Sequence, residues 1–179
     1  MLKYKIVYSS RTGNTGFLAT AIYQGLLERS KDIEELTGNT RWDDAQTYIV
    51  GFWTDRGSCS SDTKEFLQKL SGKNVLLFGT CGFGPDQEYY HKIEEQVKQF
   101  IPSDCRYLGC FLCQGKMPMA VREKYQLMLR DRKKKLLAEK MIQNFDRALL
   151  HPDKKDCLDA VSFVKQSVGH MPIILTGAE

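Results

Sequence analysis

The stretch Lys3-Tyr4-Lys5-Ile6-Val7-Tyr8-Ser9-Ser10-Arg11-Thr12-Gly13-Asn14-Thr15-Gly16 decides how the rest of the chain is read. Residues 3–8 alternate and are rich in β-formers, which predicts a first strand. From Asn14 to Arg29 the apolar residues Leu18, Ala21, Ile22 and Leu26 recur at helical spacing, which predicts a helix. Hydroxyls stand at 9, 10, 12 and 15 between and at the edge of these elements, with an amide at Asn14. The first backbone N–H groups of a helix have no intrahelical acceptor and carry the positive end of the helix dipole. Such a turn can hold a phosphate without a metal. Gly13 and Gly16 let the backbone come close to it. The alternative for the same residues is an N-capping Thr/Asn loop with no ligand.

Working outward, Asp32–Leu36 reads as a short polar strand suited to a sheet edge. Gln46–Phe52 and Asn74–Gly79 are apolar without alternation, as strands buried on both faces are. Ser61–Leu70 reads as a helix with Phe66, Leu67 and Leu70 on one side. Asp86–Ile101 is a helix with Ile93, Val97, Phe100 and Ile101 inward, and Arg106–Leu112 is a fifth strand. Alternating strands and helices imply a parallel sheet covered on both faces, with right-handed crossovers. From Pro118 to Leu150 the chain is helical and highly charged, with a break expected near Arg130–Lys135, where the apolar face lapses. Pro152 is expected at a first helical position. A last helix over Asp156–Val168 buries Cys157, Val161, Val164 and Val168. The apolar tail Met171–Leu175 takes no place in this scheme.

The chain has 179 residues, 42% hydrophobic and 27% charged, as one soluble globular domain over 1–179 would. No apolar run is long enough for a membrane span, and Met1-Leu2-Lys3-Tyr4-Lys5-Ile6 does not read as a signal peptide, so a cytoplasmic protein is expected. The six cysteines are then expected as free thiols. Cys110 and Cys113 fall in the segment Arg106–Gln114, which reads as a strand, where residues three apart point to opposite faces, so a redox or metal pair is not expected. His91, His151 and His170 share no ligand spacing, and no metal is expected. His91 is expected to face solvent, and His151 to belong to the cap before Pro152. Of the net charge of +4, residues 120–147 supply about +5, with nine Lys or Arg against four Asp or Glu. That window is either a solvated helical face or a docking surface for an acidic partner. No motif indicates nucleic-acid binding.

The loop is neither of two other phosphate binders. G-x-x-x-x-G-K-[ST] is absent, and Gly79, Gly82 and Gly84 lack the G-x-G-x-x-G spacing. A receiver domain would need an acidic pair where Ser9-Ser10 stands. Ser10-Arg11-Thr12-Gly13-Asn14-Thr15 after a first strand resembles the phosphate loop of the flavodoxin family. The element order is similar over most of the chain, apart from a helical insertion at 118–150. The resemblance implies an α/β three-layer sandwich with a five-stranded parallel sheet in the order 2-1-3-4-5, an example given for flavodoxin itself. It implies flavin mononucleotide (FMN) as cofactor, its phosphate held by Ser10, Arg11, Thr12, Gly13, Asn14 and Thr15. Family members usually carry a charged residue after the final Thr, and here it is Gly16. The chain also resembles a longer branch from anaerobic bacteria through Gly51-Phe52-Trp53, Phe78-Gly79-Thr80, Cys113-Gln114-Gly115-Lys116 and His151-Pro152-Asp153. One subgroup of that branch is linked to bilin (bilirubin) reduction.

Ligands of open α/β sheets bind beyond the carboxyl ends of the strands. By the resemblance, Trp53, Thr54, Asp55, Arg56 and Gly57 after the third strand, and Thr80, Cys81, Gly82, Phe83 and Gly84 after the fourth, sandwich the flavin ring. Trp53 and Phe83 are the stacking candidates, with Tyr89 or Tyr90 as substitutes. Family analogy gives Gly57 a mobile peptide facing the flavin N5. Gln114 and Gly115, at the end of the fifth strand, are further contact candidates, and Asp86 is read as a helix cap. Arg56 departs from the acidic surroundings of electron-carrying flavodoxins, and a cation there would favour reduced flavin.

Three functions follow as expectations. The first is electron transfer to a partner reductase, docking on residues 120–147, with FMN as the redox group. The second is an FMN-dependent NAD(P)H oxidoreductase acting on a small substrate. The third is a non-catalytic accessory module of a reductase.

Overall fold

The computed structural model describes residues 1–169. The strands are β1 (Leu2–Tyr8), β2 (Lys31–Glu35), β3 (Ala45–Trp53), β4 (Asn74–Cys81) and β5 (Arg106–Gln114). The helices are α1 (Asn14–Gly25), α2 (Ser61–Leu67), α3 (Gln87–Lys98), α4 (Met119–Met128), α5 (Lys135–Ala148) and α6 (Lys154–Gly169). All strand pairs are parallel, in the order β2-β1-β3-β4-β5. The expected sheet, its order and its helical insertion are all present.

The sheet separates two cores. On one face Val7, Tyr48, Val50, Phe52, Val75 and Leu77 pack against Phe66 and Leu67 of α2 and Ile93 and Val97 of α3. On the other, Tyr4, Ile6, Ile49, Leu76 and Phe78 meet Leu18 and Ile22 of α1 and Ala160 and Val164 of α6. This is why β3 and β4 are apolar without alternation. Each fully buried aliphatic or aromatic side chain contributes about 1.5–3 kcal/mol.

Several boundaries differ from the sequence reading for physical reasons. The first helix stops at Gly25, not Arg29, and Gly25 lies against α6, where an added Cβ would come within 2.4 Å of Val161. Leu26 is then extended and Leu27 is 91% exposed. Ala19, not Ala21, is fully buried on that helix. Lys5 of β1 is only 2% exposed, held by Glu34 at 2.6 Å and Asp44 at 2.7 Å. Pro152 lies before α6, which starts at Lys154. Strand β4 runs two residues further than read, so Thr80 and Cys81 are strand residues, and β5 ends at Gln114.

The insertion breaks where the apolar pattern lapses, between Met128 and Lys135. All six cysteines are free. Among the described residues no helix is long and apolar enough to cross a membrane. The tail Met171–Leu175 and His170 lie outside the described residues.

Candidate FMN site

β1 delivers the chain to the carboxyl edge of the sheet at Tyr8, and α1 begins six residues later. Gly13 takes φ 85° just before the helix, a left-handed turn that L side chains resist. Gly13, at the cap position, has no side chain to take up the N–H groups that follow it. The backbone N–H groups of residues 11–15 donate to no acceptor among the described residues. They form a concave run of donors at the positive end of a 12-residue helix. Arg11, Thr12 and Asn14 line the cavity beside it. Ser10, Gly13 and Thr15 do not line that cavity but build the turn. Ser10 Oγ accepts from the Gly16 N–H at 3.4 Å, and the buried Thr15 hydroxyl meets that of Thr80 at 3.1 Å. Gly16, where the family carries a charge, lies under Tyr8, whose ring would stand 3.0 Å from an added Cβ.

The loop after β3 closes in a two-residue turn. Asp55 and Ser58 exchange backbone hydrogen bonds at 2.8 and 2.9 Å, with Arg56 at φ 49° and Gly57 at φ 83°. Two successive positive φ values are the signature of a type I′ turn. Phe52 is buried, while Trp53 points the other way into the cavity. The Arg11 guanidinium lies over the Trp53 ring, 5.3 Å from its centroid, joining the first loop to the second.

The loop after β4 is shorter than read. Thr80 and Cys81 still line the cavity, together with Gly82, Phe83 and Tyr89. Cys81 is no nucleophile. Burial pushes its thiol up to about 12, and it donates to the carbonyls of Phe83 and Cys113. Phe83 is 37% exposed and meets Tyr89 edge-on at 6.2 Å. Gly84 does not line this cavity, and Tyr90 packs beneath it. Gln114 does not line it either. Its buried amide turns to the Gly82 carbonyl and to Asn144. Asp86 caps α3 by accepting the Tyr89 N–H at 2.9 Å, as read from the sequence.

A further wall lies beyond β5, where the sequence pointed to Gly115 but to none of the side chains that follow it. Gly115, Lys116, Met117 and Pro118 follow β5, and Val121, Lys124 and Tyr125 of α4 stand beyond them. Val121 and Tyr125 are one helical turn apart, a spacing visible in the sequence, although the insertion gave no sign of which face turns inward. The cavity has a volume of about 550 Å³. It is lined by Arg11, Arg56, Lys116 and Lys124 against one carboxylate, Asp55. A flat, anionic, polyhydroxylated ligand fits these walls. Two buried oxygens at this site, Asn14 Oδ1 and Thr54 Oγ1, have no hydrogen-bond partner among the described residues. The residues therefore fit a phosphorylated ring compound with hydroxyl donors, as FMN is.

His151, Asp153 and Asp156 bring ligand atoms within 4.8 Å of one another. Their groups form a reciprocal helix cap. Asp156 accepts from His151 at 2.6 Å and from the Asp153 N–H at 2.8 Å, and Asp153 accepts from the Asp156 N–H at 2.9 Å. His151 thus sits in the cap, as expected. His91 is 70% exposed.

A parallel 2-1-3-4-5 sheet with an anion-binding first loop and an aromatic-lined cleft at its switch point defines a flavodoxin-like class. The model of the flavodoxin domain matches residues 5–165, and the chain belongs to this family. It is 35% identical to the flavodoxin-like domain-containing protein BilS of Clostridium symbiosum, over 93% of this chain and 96% of that one. It is 32% identical to the protein of the same name from Clostridioides difficile, over 92% and 95%. Among solved structures, oxidised flavodoxin 2 from Bacillus cereus superimposes with a TM-score of 0.59 at 16% identity, covering 94% of this chain and 99% of that one.

Proposed function

We propose that this protein is an FMN-dependent electron carrier that serves a partner reductase. The observation that carries the reading is the run of unpaired N–H groups at residues 11–15, opening on the same cavity as the orphaned oxygens of Asn14 and Thr54. The N–H run suits the phosphate. Asn14 Oδ1 and Thr54 Oγ1 suit sugar-alcohol hydroxyls. Trp53, Phe83 and Tyr89 suit the ring. FMN, when bound, takes up electrons singly or in pairs and releases them singly. The protein's own part is to anchor it, keep water from one side of it and set the charge around it.

The docking surface in this reading is the α4–α5 hairpin. Its segment Arg130-Asp131-Arg132-Lys133-Lys134-Lys135 is exposed, and Lys124 stands both on the hairpin and at the cavity. A cationic rim of this kind steers an acidic partner surface toward the flavin edge. The resemblance to the bilin-linked subgroup makes a bilin reductase the partner we propose. The test is electron delivery from the reduced protein to that reductase, followed as salt is raised. A rate that falls steeply with salt supports docking through the hairpin, and a rate independent of Lys and Arg in 130–135 contradicts it.

One observation favours a second reading. Val121, Lys124 and Tyr125 make a wall over the cavity, as an enzyme holding its own small substrate would need. NADPH oxidation by the isolated, FMN-loaded protein would select this NAD(P)H oxidoreductase over a carrier.

A further inference from the structure

The insertion does more than stand beside the cavity. Asn144 of α5 is 6% exposed, in a helix whose other polar residues mostly face solvent. Its Nδ2 donates to the carbonyl of Gly82 at 2.8 Å, sixty-two residues earlier in the chain. Gln114, 4% exposed at the end of β5, donates to the same carbonyl at 3.2 Å and to Asn144 Oδ1 at 3.0 Å. Two buried amides therefore converge on one peptide group. Buried amides are costly unless paired, so each depends on the others.

The peptide they grip joins Gly82 to Phe83, and both residues line the cavity. Neither Asn144 nor Gln114 lines it. In a planar trans peptide the C=O and N–H point in opposite directions. With its carbonyl drawn toward α5 and Gln114, this peptide must turn the N–H of Phe83 away from them. That N–H donates to no acceptor among the described residues. A glycine before it leaves the peptide free to rotate unless something holds it.

We propose that Asn144 is a positioning residue for the redox centre, holding the Gly82–Phe83 peptide so that the Phe83 N–H is presented to the bound flavin. This rests on the FMN reading above. A flavin gains electron density at its ring heteroatoms on reduction, so a fixed N–H donor there binds the reduced form better than the oxidised. The insertion thereby joins two roles in one element. Its outer face carries the cations proposed for docking, and its inner face fixes a donor at the cofactor.

The test uses the full chain loaded with FMN, comparing the wild type with Asn144→Ala and Asn144→Asp. Measured are the affinity for oxidised FMN, the two-electron potential by reductive titration, and folding by circular dichroism. Removing the clamp is expected to cut the preference for reduced over oxidised FMN about tenfold, a fall of ~30 mV in the two-electron potential. Asp keeps an acceptor for Gln114 but sets an oxygen against the Gly82 carbonyl, so its fall should exceed that of Ala. A residue that only anchors α5 would change stability while leaving that preference as in the wild type, and this result in folded variants overturns the proposal. Should both variants fail to fold, the amide resonance of Phe83 in the wild type decides. It moves downfield on adding FMN and further on reduction if the proposal holds, and stays in place if it does not. A wild type that retains no FMN defeats the underlying reading and this inference with it, a result distinct from unchanged potentials in loaded variants.

Discussion

The side-chain amide of Asn14 donates to the main-chain oxygen of Lys116 at 2.9 Å, tying the loop after β1 to the loop after β5. The contact is possible only because residue 115 is glycine, where an added Cβ would lie 2.8 Å from Asn14 Nδ2 and 3.1 Å from Thr80 Cβ. Asn14→Leu removes the donor and leaves the Lys116 carbonyl unpaired. Loss of a hydrogen bond of this kind costs about 1–3 kcal/mol. Gly115→Ala displaces Asn14 instead. Both variants are expected to fold, and to bind FMN roughly tenfold or more weakly, about 1.4 kcal/mol, by fluorescence quenching titration.

Thr12→Asp sets a carboxylate where the unpaired N–H run would face phosphate. FMN affinity should fall by roughly a hundredfold, about 2.8 kcal/mol. Riboflavin, which has no phosphate, should lose little. Equal losses for the two ligands would mean that the loop does not hold the phosphate.

Arg56 sits at φ 49° in the turn after β3, and it lines the cavity. A cation beside the ring favours the reduced, more negative cofactor. Arg56→Gln should therefore lower the potential, and a change of ~1.4 kcal/mol corresponds to ~59 mV in a one-electron step. An unchanged potential on redox titration removes Arg56 from the account.

The buried Lys5 makes stability depend on pH at both ends. Burial opposes its charge, but Asp44 and Glu34 outweigh burial and hold its pKa above the usual 10.5. Burial likewise pushes Asp44 up, and hydrogen bonds from Lys5 and Tyr48 more than reverse this, leaving its carboxyl below the usual 3.8. The contribution of Asp44 is full above its ordinary pKa and is lost as pH falls through the lowered one. That of Lys5 is full below its ordinary pKa and is lost as pH rises through the raised one. The unfolding temperature should be level near neutrality and fall at both extremes. Lys5→Met leaves two carboxylates facing each other and should cost about 3 kcal/mol at pH 7, with part of the loss regained on acidification.

The architecture could be read from the chain because its strongest signals are local. The apolar runs of β3 and β4, the Thr12–Thr15 turn and the lapse of pattern between Met128 and Lys135 each report on their own neighbourhood. What escaped depends on contacts distant in sequence. The burial of Lys5 was not legible because its partners Glu34 and Asp44 lie on other segments. Gln114 looked like a cofactor contact because its strand ends at the right edge, yet Asn144, thirty residues on, draws its amide aside. Val121, Lys124 and Tyr125 fell within a charged insertion whose sequence did not say which side faces inward. Asn144 itself was one polar residue among many on α5. Its burial follows from α5 docking against Gly82, and no local pattern encodes that.

The central claim is that the loop after β1 holds the phosphate of FMN. The most direct test is the visible absorption spectrum of the purified protein, incubated with FMN or with riboflavin in equal amounts and freed of excess. The account predicts retained flavin bands with FMN, at an affinity at least tenfold above that for riboflavin. A protein left colourless by FMN, or one that holds both flavins equally, would contradict it.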